Sequence, residues 1–143
     1  MTRILLYFIP FLIFFSCRTD GDIDENVSLE GSWQPTKVKV YVPNSGGLLS
    51  QTEEMNACQL KSRVNYFSGK AGHEIAYETN CDLRYDRDFT YSFDVKTRKL
   101  TQKYPTHENS VSVVSLTQTT LVIRTKRNVD GSDYDIEITS SRL

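Results

Sequence analysis

The side chains of this 143-residue chain with chemistry to offer are three cysteines, two histidines and a scatter of carboxylates. Cys58 and Cys81 stand 23 positions apart, a pair that suits a disulfide in an oxidising compartment or a metal site if histidines join it. Neither His73 nor His107 has a ligand-like spacing to a cysteine, so the disulfide outweighs the metal, and no metal or cofactor is expected. Catalysis would need a placed base, nucleophile or carboxylate pair. His73 and Glu74 are neighbours, so on a strand they face opposite sides, while His107 falls in a turn beside Glu108. Asp82, Asp86 and Asp88 read as scattered carboxylates. Asp130 to Asp135 has a faint likeness to a calcium loop but lacks the distal bidentate Glu, and a turn is the better reading. A Gly-rich phosphate loop and a Gly-x-Ser-x-Gly elbow are both missing, so the expectation is a protein that is not an enzyme.

The third cysteine, Cys17, decides the compartment. Arg3 supplies a positive n-region, Ile4 to Phe15 form an apolar h-region, and Phe14-Phe15-Ser16-Cys17 sits where a processing site belongs. A membrane-spanning helix needs about 20 apolar residues, and Pro10 interrupts this shorter run. The pattern resembles bacterial lipoboxes, in which a bulky apolar residue at −3 and a small one at −1 precede a cysteine that is acylated before cleavage. The plainer alternative is a secretory signal cut nearby. The resemblance implies residues 1–16 as a lipoprotein signal peptide and Cys17 as the lipidation site, several acyl chains making the anchoring stable. The expected location is the bacterial cell envelope, lipid-anchored and with the outer membrane as its address, the periplasmic or surface face left open. Residues 17–26 are polar and acidic, too poor in apolar surface to fold alone, and read as a tether. With Cys17 spent on lipid, Cys58 and Cys81 are an even pair outside the cytoplasm, and closing their loop would stabilise the fold by about 3 kcal/mol.

Residues 27–143 have room for one domain. The whole chain carries 17 basic and 18 acidic residues, and losing Arg3 with the signal leaves a net charge near −2 (16 against 18). No basic stripe for nucleic acid is present, and Lys96-Arg98-Lys99-Lys103 and Arg124-Lys126-Arg127 read as the solvated faces of strands.

Period-two alternation dominates, so the domain should be all-β. In Lys37 to Val42 the valines share one face and Lys37, Lys39 and Tyr41 the other, before a turn cluster at Pro43 to Gly47. Leu48 to Ala57 lacks alternation and is expected to hold a short helix or an irregular crossing. Further strands are expected over Gln59–Phe67, Glu74–Asn80, Phe89–Asp94, Lys99–Tyr104, Ser110–Leu116, Thr120–Lys126 and Tyr134–Ser140, about eight in all. Short turns between them force antiparallel neighbours, and an up-and-down barrel removes the two free edges an open sheet would leave.

Leu29-Glu30-Gly31-Ser32-Trp33 resembles the Gly-x-Trp entry of lipocalins. With Cys58, Cys81, Phe89 to Phe93, Val113 to Thr117 and Thr120 to Ile123, the segment from Leu29 to Leu143 resembles the small lipocalin-like domains of bacterial lipoproteins. Classical lipocalins carry a helix behind the last strand, where this sequence has only Arg142-Leu143. The resemblance implies a barrel that binds a small apolar or amphipathic molecule, with Gly31 and Trp33 plugging one end. Inward positions expected to line a pocket are Val40, Tyr66, Tyr77, Tyr91, Phe93, Val113, Leu121 and Ile136, although the same residues would equally fill a packed core. Seven tyrosines against three phenylalanines after the signal would give such a pocket polar anchors. The alternative is a protein-binding module with a filled barrel, an inhibitor, immunity factor or accessory subunit whose contacts come from the loops Asn44–Ala57 and Tyr104–Asn109.

Overall fold

Alternating side chains carry most of the chain into strands, and the computed structural model, which describes residues 22–43 and 47–143, contains nine of them among the described residues. They are β1 (Gly31–Tyr41), β2 (Leu49–Glu54), β3 (Arg63–Tyr66), β4 (Ala71–Tyr77), β5 (Leu83–Asp94), β6 (Lys99–Lys103), β7 (Glu108–Leu116), β8 (Thr120–Val129) and β9 (Ser132–Arg142). From β3 to β9 each strand pairs antiparallel with the next, as the short turns require. One edge of β1 takes β9, and its other edge takes β3 at Gly31–Trp33 and β2 at Lys37–Tyr41. Eight strands thus close into an antiparallel barrel, and β2 is an extra hairpin partner outside the ring. Pro35 offers no N–H to a ladder, and the β1–β9 register slips by one residue between Pro35 and Lys37 to accommodate it.

Several stretches differ from expectation; β1 and β5 each start six residues early, at Gly31 and Leu83 where Lys37 and Phe89 were expected. Leu48 to Ala57, expected to be helical or irregular, contains β2, whose residues are exposed on both faces and so show no alternation to read. Backbone pairing to β1 and a 2.9 Å Lys37–Glu54 ion pair hold it. Gln59 to Phe67 begins as a single 3-10 turn over Gln59–Lys61, because Asn56 Oδ1 accepts the N–H groups of Cys58 and Gln59 at 3.0 and 2.9 Å; only Arg63–Tyr66 is strand. The expected Glu74–Asn80 strand lies three residues earlier at each end, as β4. Glu78 to Asp82 turns instead, with Cys81 at φ 71° and disulfide-bonded to Cys58.

Cys17 and the expected signal lie outside the described residues. The stretch expected to be a tether, 17–26, is described from Asp22 on, and there it is docked. Leu116 N–H donates to the Asp22 carbonyl, Asp24 N–H donates to the Leu116 carbonyl, and Ile23 packs on the core. The one aliphatic side chain of an acidic stretch found apolar surface to cover. Among the described residues, Trp33, Leu100, Leu116 and Val113 are the largest fully buried side chains. Gly72 is buried where a Cβ would stand 2.3 Å from the Phe89 ring, so the glycine lets the edge of that ring reach the β4 backbone.

Candidate functional site

Residues paired across a ladder share a face, so the buried ones identify the lumen. Val113 is buried and pairs with Ile123, Ile123 with Ile138, and Ile138 with Val38, which turns all four inward. Two residues along, Thr125, Ile136 and Val40 make the next inward row. On the other side, Tyr85, Arg87, Phe89, Tyr91 and Phe93 alternate inward along β5. The lumen therefore has an aliphatic wall from β1 and β7–β9 and an aromatic, partly polar wall from β3–β6.

One end is closed. Trp33 is 1% exposed, its indole N–H donates to the Leu29 carbonyl at 2.9 Å, and the Arg142 guanidinium lies 4.3 Å from the ring centroid. Arg142 also donates to the carbonyls of Ser28 and Glu30, both at 2.7 Å, strapping the entry strand to the last one. Gly31 at φ 132° leaves room for that guanidinium, Nη1 lying 2.8 Å from where a Cβ would be. The expected end plug of Gly31 and Trp33 has this arrangement, with Arg142 as a third member.

Above the plug, Tyr66 meets Phe89 and Tyr91 edge to face, with centroids 5.6 and 4.9 Å apart. Gln102 Nε2 donates to the Tyr66 hydroxyl at 3.2 Å, and burial pushes that hydroxyl far above its ordinary range, so it stays neutral. Toward the opposite end, Arg87 Nε donates to Glu74 Oε1 at 2.5 Å, and its guanidinium lies 4.3 and 4.1 Å from the Tyr85 and Tyr104 ring centroids. The Glu74 side chain is 8% exposed and that of Arg87 36%. Burial, and after it the Glu74 carboxylate, push the Tyr104 hydroxyl well up, so Tyr104 is a permanent donor beside that carboxylate. Burial works against the Arg87 charge, but Glu74 more than offsets it and raises the guanidinium's pKa.

That end is open, because three ladders stop short of it. β1 pairs with β3 only as far as Trp33. β5 pairs with β6 only from Thr90 onward, and β7 pairs with β8 only from Ser112 onward. The gap between β7 and β8 is a cleft of about 440 Å³ in which Ser110, Ser112, Arg124, Lys126 and Asp135 surround the inward-facing Asn109 and Thr125. A second cleft, about 300 Å³, lies at the closed end beside Val27, Gln118 and Arg142.

Of the expected pocket residues, Tyr66, Tyr91, Val113 and Leu121 are buried in the core, and Phe93 packs against it. Val40 and Ile136 pair with one another in the open half and stay only part-buried. Tyr77 is apart, at the end of β4 opposite exposed Leu83. In the expected contact loop, Tyr104 is buried and stacks on His107 at 4.5 Å. Sequence reasoning did not place Tyr85, Arg87, Glu74 or Tyr104 in the lumen. The signal was there: alternation in β5 runs back from Phe89 through Arg87 to Tyr85. Asp86 and Asp88, which obscured it, face outward and hold His73 between them, at 3.1 Å from Nε2 and 2.9 Å from Nδ1. Also outside, Glu137 accepts from the Tyr41 hydroxyl at 2.7 Å and from Arg124. Burial alone would raise the Glu137 carboxyl, but those two donors hold it below its ordinary range.

A family model described as a lipocalin-like domain matches residues 29–123. No curated protein matches the chain. Among solved structures, lobster apocrustacyanin A1 is 16% identical with a TM-score of 0.47, the match covering 80% of this chain and 60% of that one. A bovine odorant binding protein in complex with undecanal is 13% identical (TM-score 0.47, 85% of this chain and 76% of that one). A dog lipocalin allergen is 11% identical (TM-score 0.47, 81% and 74%). The chain thus spans about three fifths of the length of the crustacyanin it matches.

Proposed function

The chain belongs to the lipocalin-like domain family, and from that premise we propose that its barrel binds a small apolar or amphipathic molecule in the open half of the lumen. The observation that carries this reading is the state of the aliphatic wall. Val38, Val40, Ile136 and Ile138 all point inward yet remain part-buried, whereas Trp33 and Leu116 at the closed end are sealed. Inward apolar surface that water still reaches is surface a ligand would dehydrate, at roughly 25 cal/mol per Å². In this reading the chain does no chemistry on what it holds.

Native mass spectrometry of the full chain purified from its own envelope is expected to find a discrete small mass that is lost on denaturation. The Ile138→Trp variant, which fills the open half, is expected to lack it. A bare wild-type mass accompanied by a co-purifying polypeptide would overturn the reading in favour of a protein-binding module. The observation on that side is β2, exposed on both faces and paired along one edge only, with Leu48 and Leu49 64% and 47% exposed.

The site works, in this proposal, at a membrane surface. Cys17 at the end of a signal-like segment is the expected acylation point, and no helix of the described residues is long and apolar enough to cross a membrane. Cys17→Ala is expected to shift the protein from the detergent phase to the aqueous phase on partitioning; an unchanged distribution would rule lipid anchoring out.

A further inference from the structure

Arg87 is an unusual residue to find facing a barrel lumen, and its surroundings have already met most of the cost of holding it there. Its Nε edge is spent on Glu74. The Tyr85 and Tyr104 rings lie 4.3 and 4.1 Å from its Cζ and restrict the guanidinium's movement. The Tyr104 hydroxyl lies near enough to Glu74 for the carboxylate to help push its pKa up. The neighbouring acids on β5, Asp86 and Asp88, are turned to the outer face and engaged with His73, so they do not compete for Arg87 from inside. What is left is the pair of Nη groups. They make no hydrogen bond among the described residues, on a side chain that is 36% exposed at the end where the β5–β6 ladder has stopped.

A guanidinium held rigid, with its forked edge free and accessible, matches the geometry of a carboxylate. Resting on the reading of the barrel as a small-molecule binder, we propose that the Nη edge of Arg87 is a head-group subsite and that the ligand is a carboxylate-headed amphipath. The head would sit at the rim against Arg87, with its aliphatic chain along Val38, Ile123, Ile136 and Ile138. The division of the lumen into an aromatic polar wall and an aliphatic wall is what such a molecule needs. Glu74 keeps the site from being strongly cationic when empty, so the preference is for one carboxylate and not for polyanions.

The test compares dodecanoate with 1-dodecanol, equal in chain length and different in head, as competitors of a fluorescent apolar probe, N-phenyl-1-naphthylamine, on the full chain at neutral pH. Wild type is expected to prefer the acid by about tenfold or more, the size of effect one charge-assisted bidentate contact gives. Arg87→Gln should erase the preference while keeping dodecanol binding. Because that variant strands a buried carboxylate, Glu74→Gln with Arg87→Gln serves as its partner, removing both charges, and it too should bind acid and alcohol alike. Equal binding of acid and alcohol by wild type would overturn the head-group site and leave the barrel reading standing, as would a preference that survives in either variant. Binding of neither probe nor competitor would overturn both.

Discussion

Trp33→Ala is expected to be the most damaging single substitution in the domain, lowering its stability by about 3–5 kcal/mol. Three losses combine. The side chain is 1% exposed in the middle of the core, so truncation leaves a cavity that the surrounding strands, pinned in a closed ladder, have little freedom to fill. The Leu29 carbonyl loses its indole donor in a place water does not reach. Arg142 loses the ring beneath its guanidinium, and with it some of the ordering that lets it bind the Ser28 and Glu30 carbonyls. Since a domain of this size has a net stability of roughly 5–15 kcal/mol, the variant should sit near the edge of folding. Urea unfolding followed by far-UV circular dichroism checks this, fluorescence being unsuitable because Trp33 is the only tryptophan. Trp33→Phe, which keeps most of the volume and drops the N–H, should cost about 1–3 kcal/mol. A loss below about 1 kcal/mol for the alanine variant would contradict the account of Trp33 as the plug.

The second large effect should come from the disulfide. Cys58 and Cys81, 23 residues apart, are joined with Cα atoms 4.7 Å from each other. Breaking that link returns about 3 kcal/mol of chain entropy to the unfolded state, and its position makes the loss felt. β3 is four residues long and pairs with β1 at only three, so the ring is thinnest where β2 has taken over the rest of the β1 edge. The disulfide ties the 3-10 turn ahead of β3 to the β4–β5 turn and closes that weak side. The paired substitution Cys58→Ser, Cys81→Ser should lower the melting temperature by roughly 10 °C. Reduced wild type should melt with the double variant. Alkylatable thiols at both positions in the untreated protein would show that no bond forms and would cancel the prediction.

The alternation that made strands legible was strong wherever one face of a strand met the core. It marked the eight strands of the ring in order and put Tyr66, Tyr91, Val113 and Leu121 inside, while Trp33 was placed by the Gly-x-Trp likeness. It failed for β2, whose two faces both meet water, so that nothing in its side chains records a strand. It was truncated in β5, where the inward series runs through Tyr85 and Arg87: an arginine looks like a surface residue until Glu74 on the neighbouring strand is known to face it. Ile23 is a similar case. A single isoleucine among acids reads as tether, and only the adjacent end of β7 shows what it covers.

What the amino-acid order determined by itself was local: the period-two pattern, the turns between strands, the cysteine pair, and the likeness of its first strand to a Gly-x-Trp entry. Those depend on residues within a few positions of each other. The closing of the first strand on the last follows from an up-and-down barrel; the tertiary structure alone decided the register of β1 on β9, set across about a hundred residues. It also decided the meeting of Arg142 with Trp33, the early end of the β7–β8 ladder, and the placing of Glu74 against Arg87 inside the barrel. These are consequences of register, and register is a sum over every cross-strand pair in the sheet, so no short stretch of the chain contains it.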